Sequence, residues 1–403
     1  MQKIDREKGQ ALILIVLAVV GLLGLTALAV DGGMAYSERR QAQNSADSAA
    51  LDAALAKIRG GDWQAEGLAR ATSNGFDNNG TTNTVVVNNP PTTGCNGAGS
   101  PYTGNAQYVQ VMINTTTQTY FGPVVGIEEV NNCVEAIARA KPAETQPMAF
   151  GNAIVALKPN GTATHWMHGN PDVTTIGGGV FVNSSTNCGF TSNGTPNLTT
   201  PNITMVASDS CPTLAGVGIT YNAPQITYPP NNLPNPVCSE NAVKTGNTLS
   251  PGTVNGNFPP SGVTVLNSGI YCVNGNFRLN GNDTLTGNEV VIVMNSGDIH
   301  WNGNGELNLS APTSGPFKGL LIYFPMSNPS EIRINGTSDQ SWTGTILAPA
   351  SPIVLLGTAD SDAYHSQIIG YTVEFGGTFD GVVRYNDNEN HDALVPPQIE
   401  LVH

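Results

Sequence analysis

Residues 11 to 30, ALILIVLAVVGLLGLTALAV, form an unbroken apolar run of twenty, preceded by a tail that holds Lys3, Arg6 and Lys8. A helix of about 20 apolar residues spans the hydrocarbon core of a bilayer, so the pattern predicts a transmembrane helix over 11–30 behind a short tail, 1–10. Ala27-Leu28-Ala29 also fits a signal-peptidase site, which leaves two readings, anchored or released. The run exceeds the usual ~7–15-residue signal core, and the helical pattern continues past it, so a retained anchor is the reading adopted. Both readings export the rest of the chain. Three basic residues lie before the span, with Arg39 and Arg40 after it, and the balance favours a cytoplasmic N-terminus.

Beyond Asp31-Gly32-Gly33 the helical period persists, with Ala35, Ala42, Ala46, Ala49, Ala50 and Ala53 on one face. No proline occurs from Ala11 to Ile58. One helix of roughly 70 Å is therefore predicted, with the paired glycines as a kink point. Its alanine stripe suits close packing, either on its own domain or between subunits. A small α+β module, 31–146, completes this part.

From Gly151 the period shortens to β-rich runs broken by Gly and Asn. Phe277–Gly281, Ile299–Gly303, Ile332–Gly336, Ile353–Gly357 and Val373–Gly377 share an apolar-x-apolar-x-Gly frame whose glycines step by 22, 33, 21 and 20 residues. A second series keeps phase with it: GIYCV at 269, VVIVM at 290, LLIYF at 320, GTILA at 344 and SQIIG at 366. Two co-registered series predict an all-β right-handed parallel β-helix over 147–390, with a β-sandwich as the competing architecture. Ala153–Lys158 and Val173–Asn183 resemble the start of the same pattern. A Pro/Asn-rich stretch near 222–262 reads as an excursion, and 391–403 as a C-terminal tail.

Charge sharpens the topology. Charged residues are 11% of the chain, against about 25% in an average domain. Residues 71 to 403 hold eight basic and twenty-two acidic side chains, which accounts for the whole net charge of −14 and disfavours a nucleic-acid partner. Cys95, Cys133, Cys188, Cys211, Cys238 and Cys272 all follow the span, and none has metal-ligand spacing. An even count in an exported chain makes all six disulfide candidates. Of the fifteen possible pairings, neighbours in order (95 with 133, 188 with 211, 238 with 272) close local loops and are the expectation.

The segment from Gly9 to Ala54, with its Gly-Gln-Ala start at 9–11, Ala-Val-Asp exit at 29–31 and Gln-Asn-Ser-Ala-Asp-Ser-Ala-Ala-Leu-Asp-Ala-Ala stretch at 43–54, resembles the N-terminal module of TadG-like Flp pilus-assembly proteins. Residues 108–142 resemble the strand, Phe-x-Pro-Val-x-Gly-Ile turn and second strand of the pilin-like domain of TadE/TadG-like proteins. The resemblance, over 9–142, implies a membrane-anchored, pseudopilin-like component of a tight-adherence pilus system in the bacterial cell membrane, its body extracytoplasmic or at the cell surface. It implies no enzymatic residue and no cofactor. A cut after Gly9 would leave Leu14 where type IV prepilins carry glutamate, so it does not extend to prepilin processing.

Candidate chemistry is sparse. Asp360-Ser361-Asp362-Ala363-Tyr364-His365 offers oxygen ligands without the spacing of a calcium loop, and reads as a solvated turn. His165 and His168 lack the i, i+4 helical spacing of a zinc pair. Glu306, Glu331, Arg333, Asp339 and Glu374 are scattered, and only Glu331 with Arg333 share a strand face, where they read as a cross-strand surface pair. Trp301, Trp342 and Tyr323 suit either stacking on sugars or internal packing. Asn-x-Ser/Thr sequons at Asn114, Asn160, Asn197, Asn202, Asn282, Asn308 and Asn335 follow from composition and are assigned no site. The expectation is a non-catalytic structural or adhesive envelope protein with no metal site. Its partners would be the bilayer through 11–30, other pilus-assembly proteins or a second copy through the alanine face, and surface glycans. The alternative is a membrane-anchored β-helix carbohydrate-active enzyme or glycan-binding surface protein.

Overall fold

The computed structural model describes residues 8–209, 211, 217–281, 283–303, 305–336, 340–358 and 364–402. The chain forms two units, Met1–Glu144 with Pro396–His403, and Thr145–Val395.

The first unit is built on α1 (Lys8–Ile58), which runs through Gly32 and Gly33 without a break. Its N-terminal part has a stretch of mean hydropathy 2.9 in which no residue is buried, long and apolar enough to cross a membrane. Its C-terminal part instead buries Ala42, Ala46, Ala49, Ala50, Ala53 and Ala54 completely. They pack on an antiparallel sheet of β1 (Asn83–Asn88), β2 (Tyr108–Gln118), β3 (Glu129–Lys141) and the strand Gln398–Val402, in that order. Strand alternation turns Val85 and Val87, then Val109, Val111 and Ile113, toward the helix. The alanine face is thus occupied by the chain's own sheet. The shorter α2 (Trp63–Ser73) starts where the Asp62 carboxylate accepts the N–H groups of Gln64 and Ala65, both at 3.1 Å. It crosses close to α1 and β1 at Gly67, where a Cβ would lie within 3.2 Å of Ala53 and Val87.

Residues 398–402, part of the stretch read as a tail, are the fourth strand of this sheet, with Gln398 opposite Lys141 and Val402 opposite Ile137. The body is consequently an insertion between β3 and the last strand. Its first and last segments, Glu144–Pro147 and Asp392–Val395, pair with each other as a two-stranded ribbon.

The second unit is a large β-rich body whose strands join one open, mixed sheet system. Among the described residues the ladders of this sheet system run parallel, apart from the antiparallel pair Lys244–Thr245 with Thr248–Leu249. The glycine frame is a true register: Phe277, Ile299, Ile332, Ile353 and Val373 lie side by side, as do Leu279, Trp301, Ile334, Leu355 and Phe375. Two more rows, His165–Gly169 and Phe190–Gly194, continue it beyond Val373–Gly377. The second series aligns likewise, from Tyr271 through Ile292, Ile322, Ile346 and Ile368 to Ile154, Val180 and Ile203.

Spatial order departs from chain order. Ile154–Ala156 lies between Val180–Val182 and Ile368–Gly370, so the chain enters the body mid-stack. It builds outward on one side to Ile219–Thr220, then crosses through the first part of the Pro/Asn-rich stretch to the other end of the row order, where Thr248–Leu249 and Gly252–Asn255, inside the segment read as an excursion, are rows of the body and bury Leu249 and Val254 in its core. From there successive rows return to Tyr364–Arg384, which closes against the entry rows. The interior carries a line of rings. Phe277 lies 5.1 Å from Trp301, Trp301 5.7 Å from Trp342, and Trp342 3.9 Å from Tyr364. At the far side His165 lies between Phe375 and Phe190, at 5.9 and 4.6 Å. Each such contact adds about 0.5–1.5 kcal/mol to the burial of the rings.

Candidate functional site

The most specific polar construction in the first unit stands where the apolar run ends. Asp31 is the first residue after that run, and its carboxylate accepts the backbone N–H groups of Tyr120 (2.9 Å), Phe121 (3.0 Å) and Gly122 (2.7 Å). Gly122 opens a single 3-10 turn, Gly122–Val125, closed by Gly126 in the left-handed region at φ 82°. A Cβ on Gly122 would lie 2.3 Å from the carbonyl oxygen of Ile127, so only glycine fits. The Thr119 hydroxyl donates to the carbonyls of Ile127 (2.5 Å) and Glu128 (2.9 Å), pinning the base of the loop. Three N–H donors to one carboxylate are the charge-assisted kind of hydrogen bond. Burial pulls the Asp31 carboxyl up, but these three donors together outweigh it and hold it below the ordinary carboxylate range. The Ala-Val-Asp exit and the Phe-x-Pro-Val-x-Gly-Ile turn, far apart in sequence, are therefore two halves of one joint.

On the body, the outward positions of the glycine-framed rows form a second ordered surface. Arg278, His300, Arg333, Val354, Glu374 and Trp166 follow one another across six rows, Val354 being buried and the others half-buried. The charges on it are paired. Arg278 donates to Asp298 at 2.6 Å, Arg333 to both oxygens of Glu331 at 2.7 and 3.3 Å, and His168 Nε2 lies 2.9 Å from Glu374. Glu331, the residue before the strand Ile332–Gly336, thus pairs with Arg333 two residues on rather than across two strands, and its hydrogen bond, against the effect of burial and with the Glu331 and Glu374 charges adding to it, holds the Arg333 guanidinium above its ordinary value. Trp166 lies over His168 with ring centres 4.2 Å apart. The charged groups of this face are thus matched with partners on the same face.

Strand alternation separates the two histidines that the sequence sets close together. His168 faces outward, whereas His165 is fully buried, and neither of its ring nitrogens has a hydrogen-bond partner among the described residues. Burial pushes the His165 imidazolium down to about 3. Among the described residues no cluster of three or more His, Cys, Asp or Glu side chains is arranged to hold a metal ion. Trp301, Trp342 and Tyr323 are all buried, so none is a platform for a sugar. Glu306 is exposed on the strand Glu306–Ser310. Asp339, Asn282 and Asp360–Ala363 lie outside the described residues; of that last cluster, Tyr364 is buried and His365 Nδ1 lies 3.3 Å from Glu389. The six cysteines form Cys95–Cys133, Cys188–Cys211 and Cys238–Cys272. The first joins the β1–β2 connection to β3; the third fastens the excursion to the row Gly269–Asn274. Disulfides point to an oxidising, extracytoplasmic setting for the body.

Sequence reasoning missed the partnership of Asp31 with 120–122 and the two rows at 165–169 and 190–194. The second had a signal: HWMHG and FTSNG end in glycine, but His165, Ser192 and the polar residues around them mask the frame. Asp31 had none, since a carboxylate after a span looks like any polar exit residue.

Residues 9–56 match the model of the Tad family, described as "Putative Flp pilus-assembly TadE/G-like". The match covers the apolar run and most of the alanine-rich continuation of α1, and stops short of residues 108–142. Comparison with curated proteins and with solved structures returned no match.

Proposed function

We propose that this chain is a non-catalytic, membrane-anchored structural or adhesive protein of the Flp, or tight-adherence, pilus-assembly class, with its N-terminus cytoplasmic and its body extracytoplasmic. The observation that carries the reading is the Tad match over 9–56, which coincides with the exposed apolar half of α1 and its buried alanine-rich half. In this reading the body is a right-handed parallel β-helix. The parallel one-row registers, the in-line glycines and the interior ring stack support that architecture. Display and packing, rather than chemistry, are its work. Support for a non-catalytic role comes from the outward face, where Glu331 and Glu374 are each bonded to a cation or an imidazole. Its partners are the bilayer, other components of the pilus machinery and, for an adhesive role, surface glycans.

The test is genetic. Deletion in the native host should reduce surface pili or surface attachment, and the full chain should restore them where a chain lacking residues 11–30 does not. Normal piliation and attachment in the deletion strain would overturn the reading. Release of reducing sugar from envelope polysaccharide by the purified chain would replace it with the enzyme alternative.

A further inference from the structure

The loop that Asp31 holds is unusual in what it exposes. Tyr120 is 72% exposed, Ile127 52% and Phe121 36%, although the loop base is tightly hydrogen-bonded. Tyr36 and Met34, a turn further along α1, are exposed as well. In a small domain with an otherwise well-filled core these side chains are not left out for want of space; the loop geometry presents them.

Their depth relative to a bilayer follows from the joint. A twenty-residue run rises about 30 Å, the thickness of the hydrocarbon core, so its last residue, Val30, lies at the boundary with the headgroups. Asp31 is the next residue, and all three of its hydrogen bonds to the loop backbone are 3.0 Å or shorter. Tyr120 and Phe121 are thereby fixed at the level of that boundary, where tyrosine, with its polar edge, is favoured and the apolar ring of Phe121 can face the acyl chains. The exposed carboxylates Glu128 and Glu129 follow directly, which sets the limit of burial at the headgroup layer.

We infer that the loop 120–127 is a second membrane contact, docking Tyr120, Phe121 and Ile127 into the interfacial layer of the bilayer that α1 crosses. This rests on the membrane-anchored reading of α1 and extends it. The occupant of the apolar patch is lipid, because Asp31, which holds the loop, directly follows the last residue of the span, and Val30 and Met34 on either side of Asp31 are exposed apolar residues too. A single helix can tilt and rotate freely about its axis. With a second contact beside it, the small domain has a defined orientation on the membrane, and Asp31 is the positioning residue that couples the two.

The full chain, reconstituted into phosphatidylcholine vesicles, tests this with lipids brominated at acyl carbons 6,7 or 11,12. Tyr120→Trp and Val20→Trp are each compared with the parent, whose four tryptophans cancel in the difference. The expected result is that emission from position 120 is quenched, more by the 6,7 than by the 11,12 lipid, with the reverse order at position 20. Adding Asp31→Ala should expose position 120 to aqueous iodide while leaving position 20 unchanged. Quenching at 20 without quenching at 120 would overturn the loop contact and leave the anchor standing. An absence of quenching at both would overturn the anchor and the loop contact together. Protection of position 120 from both bromolipid and iodide would mean that protein, such as a second copy, covers the patch, and would also overturn the inference.

Discussion

His165 occupies a place that its neighbours in register give to apolar side chains. It stands in line with Ile299, Ile332, Ile353 and Val373 on one side and Phe190 on the other. Burial holds its folded-state pKa at about 3, against an ordinary 6.5. The unfolded chain therefore takes up the proton first. The stabilisation is fully present above pH 6.5 and is lost as pH falls from 6.5 toward 3, below which both states are protonated. One pKa unit is about 1.4 kcal/mol, so the loss from this residue is about 2 kcal/mol at pH 5, about 4 kcal/mol at pH 3 and about 5 kcal/mol well below it. Replacing His165 by Ile should remove the effect. At pH 7.5 the variant should equal or exceed the parent, because two unpaired buried nitrogens, each costing about 1–3 kcal/mol, are gone. The assay is urea unfolding of the full chain in detergent at pH 7.5, 6 and 5. It is followed by tryptophan emission, since Trp166, Trp301 and Trp342 all lie in the body. The gap between variant and parent should widen by about 2 kcal/mol from pH 7.5 to 5, a window in which most carboxylates stay ionised. Parallel pH dependence in the two chains, or an imidazole resonance of the folded parent that titrates near pH 6.5 and is missing from the His165→Ile variant, would refute the reasoning.

Three further outcomes follow from the packing. Gly194→Val should destabilise the body by more than about 2 kcal/mol, since its φ is +94° and a Cβ would meet the Gly169 carbonyl oxygen at 2.3 Å, whereas Gly218→Val, with open space around it, should leave thermal melting unchanged. Removing the Cys238–Cys272 bond with Cys238→Ala and Cys272→Ala, which opens a loop with a sequence separation of 34, should lower stability by about 2–4 kcal/mol in oxidised protein, read from the urea midpoint. Ala46→Leu should cost about 1–3 kcal/mol by overfilling the contact between α1 and the sheet, seen as faster proteolysis within residues 31–144 while the body keeps its melting temperature.

Much of the local structure is legible in the chain because it rests on short-range pattern. Twenty apolar residues in a row leave one economical conformation in a bilayer, and the absence of proline to Ile58 carries the helix on to the alanine stripe. The apolar-x-apolar-x-Gly frames state which side chains face inward and where each row turns, and the structure aligns them residue for residue. What they leave open is which row lies beside which. Parallel rows of the same frame offer nearly the same edge to one another, so periodicity carries no order; only the filling of the interior, ring against ring, places the entry rows between Val180–Val182 and Tyr364–Arg384. The long crossing that this requires is tolerable because the entropy of closing a loop grows only with the logarithm of its length. The same limit hides the last strand and the Asp31 joint. Gln398–Val402 reads as a tail until the open edge of β3 supplies its hydrogen bonds, and Asp31 is an ordinary exit residue until tertiary folding brings three backbone N–H groups to its carboxylate.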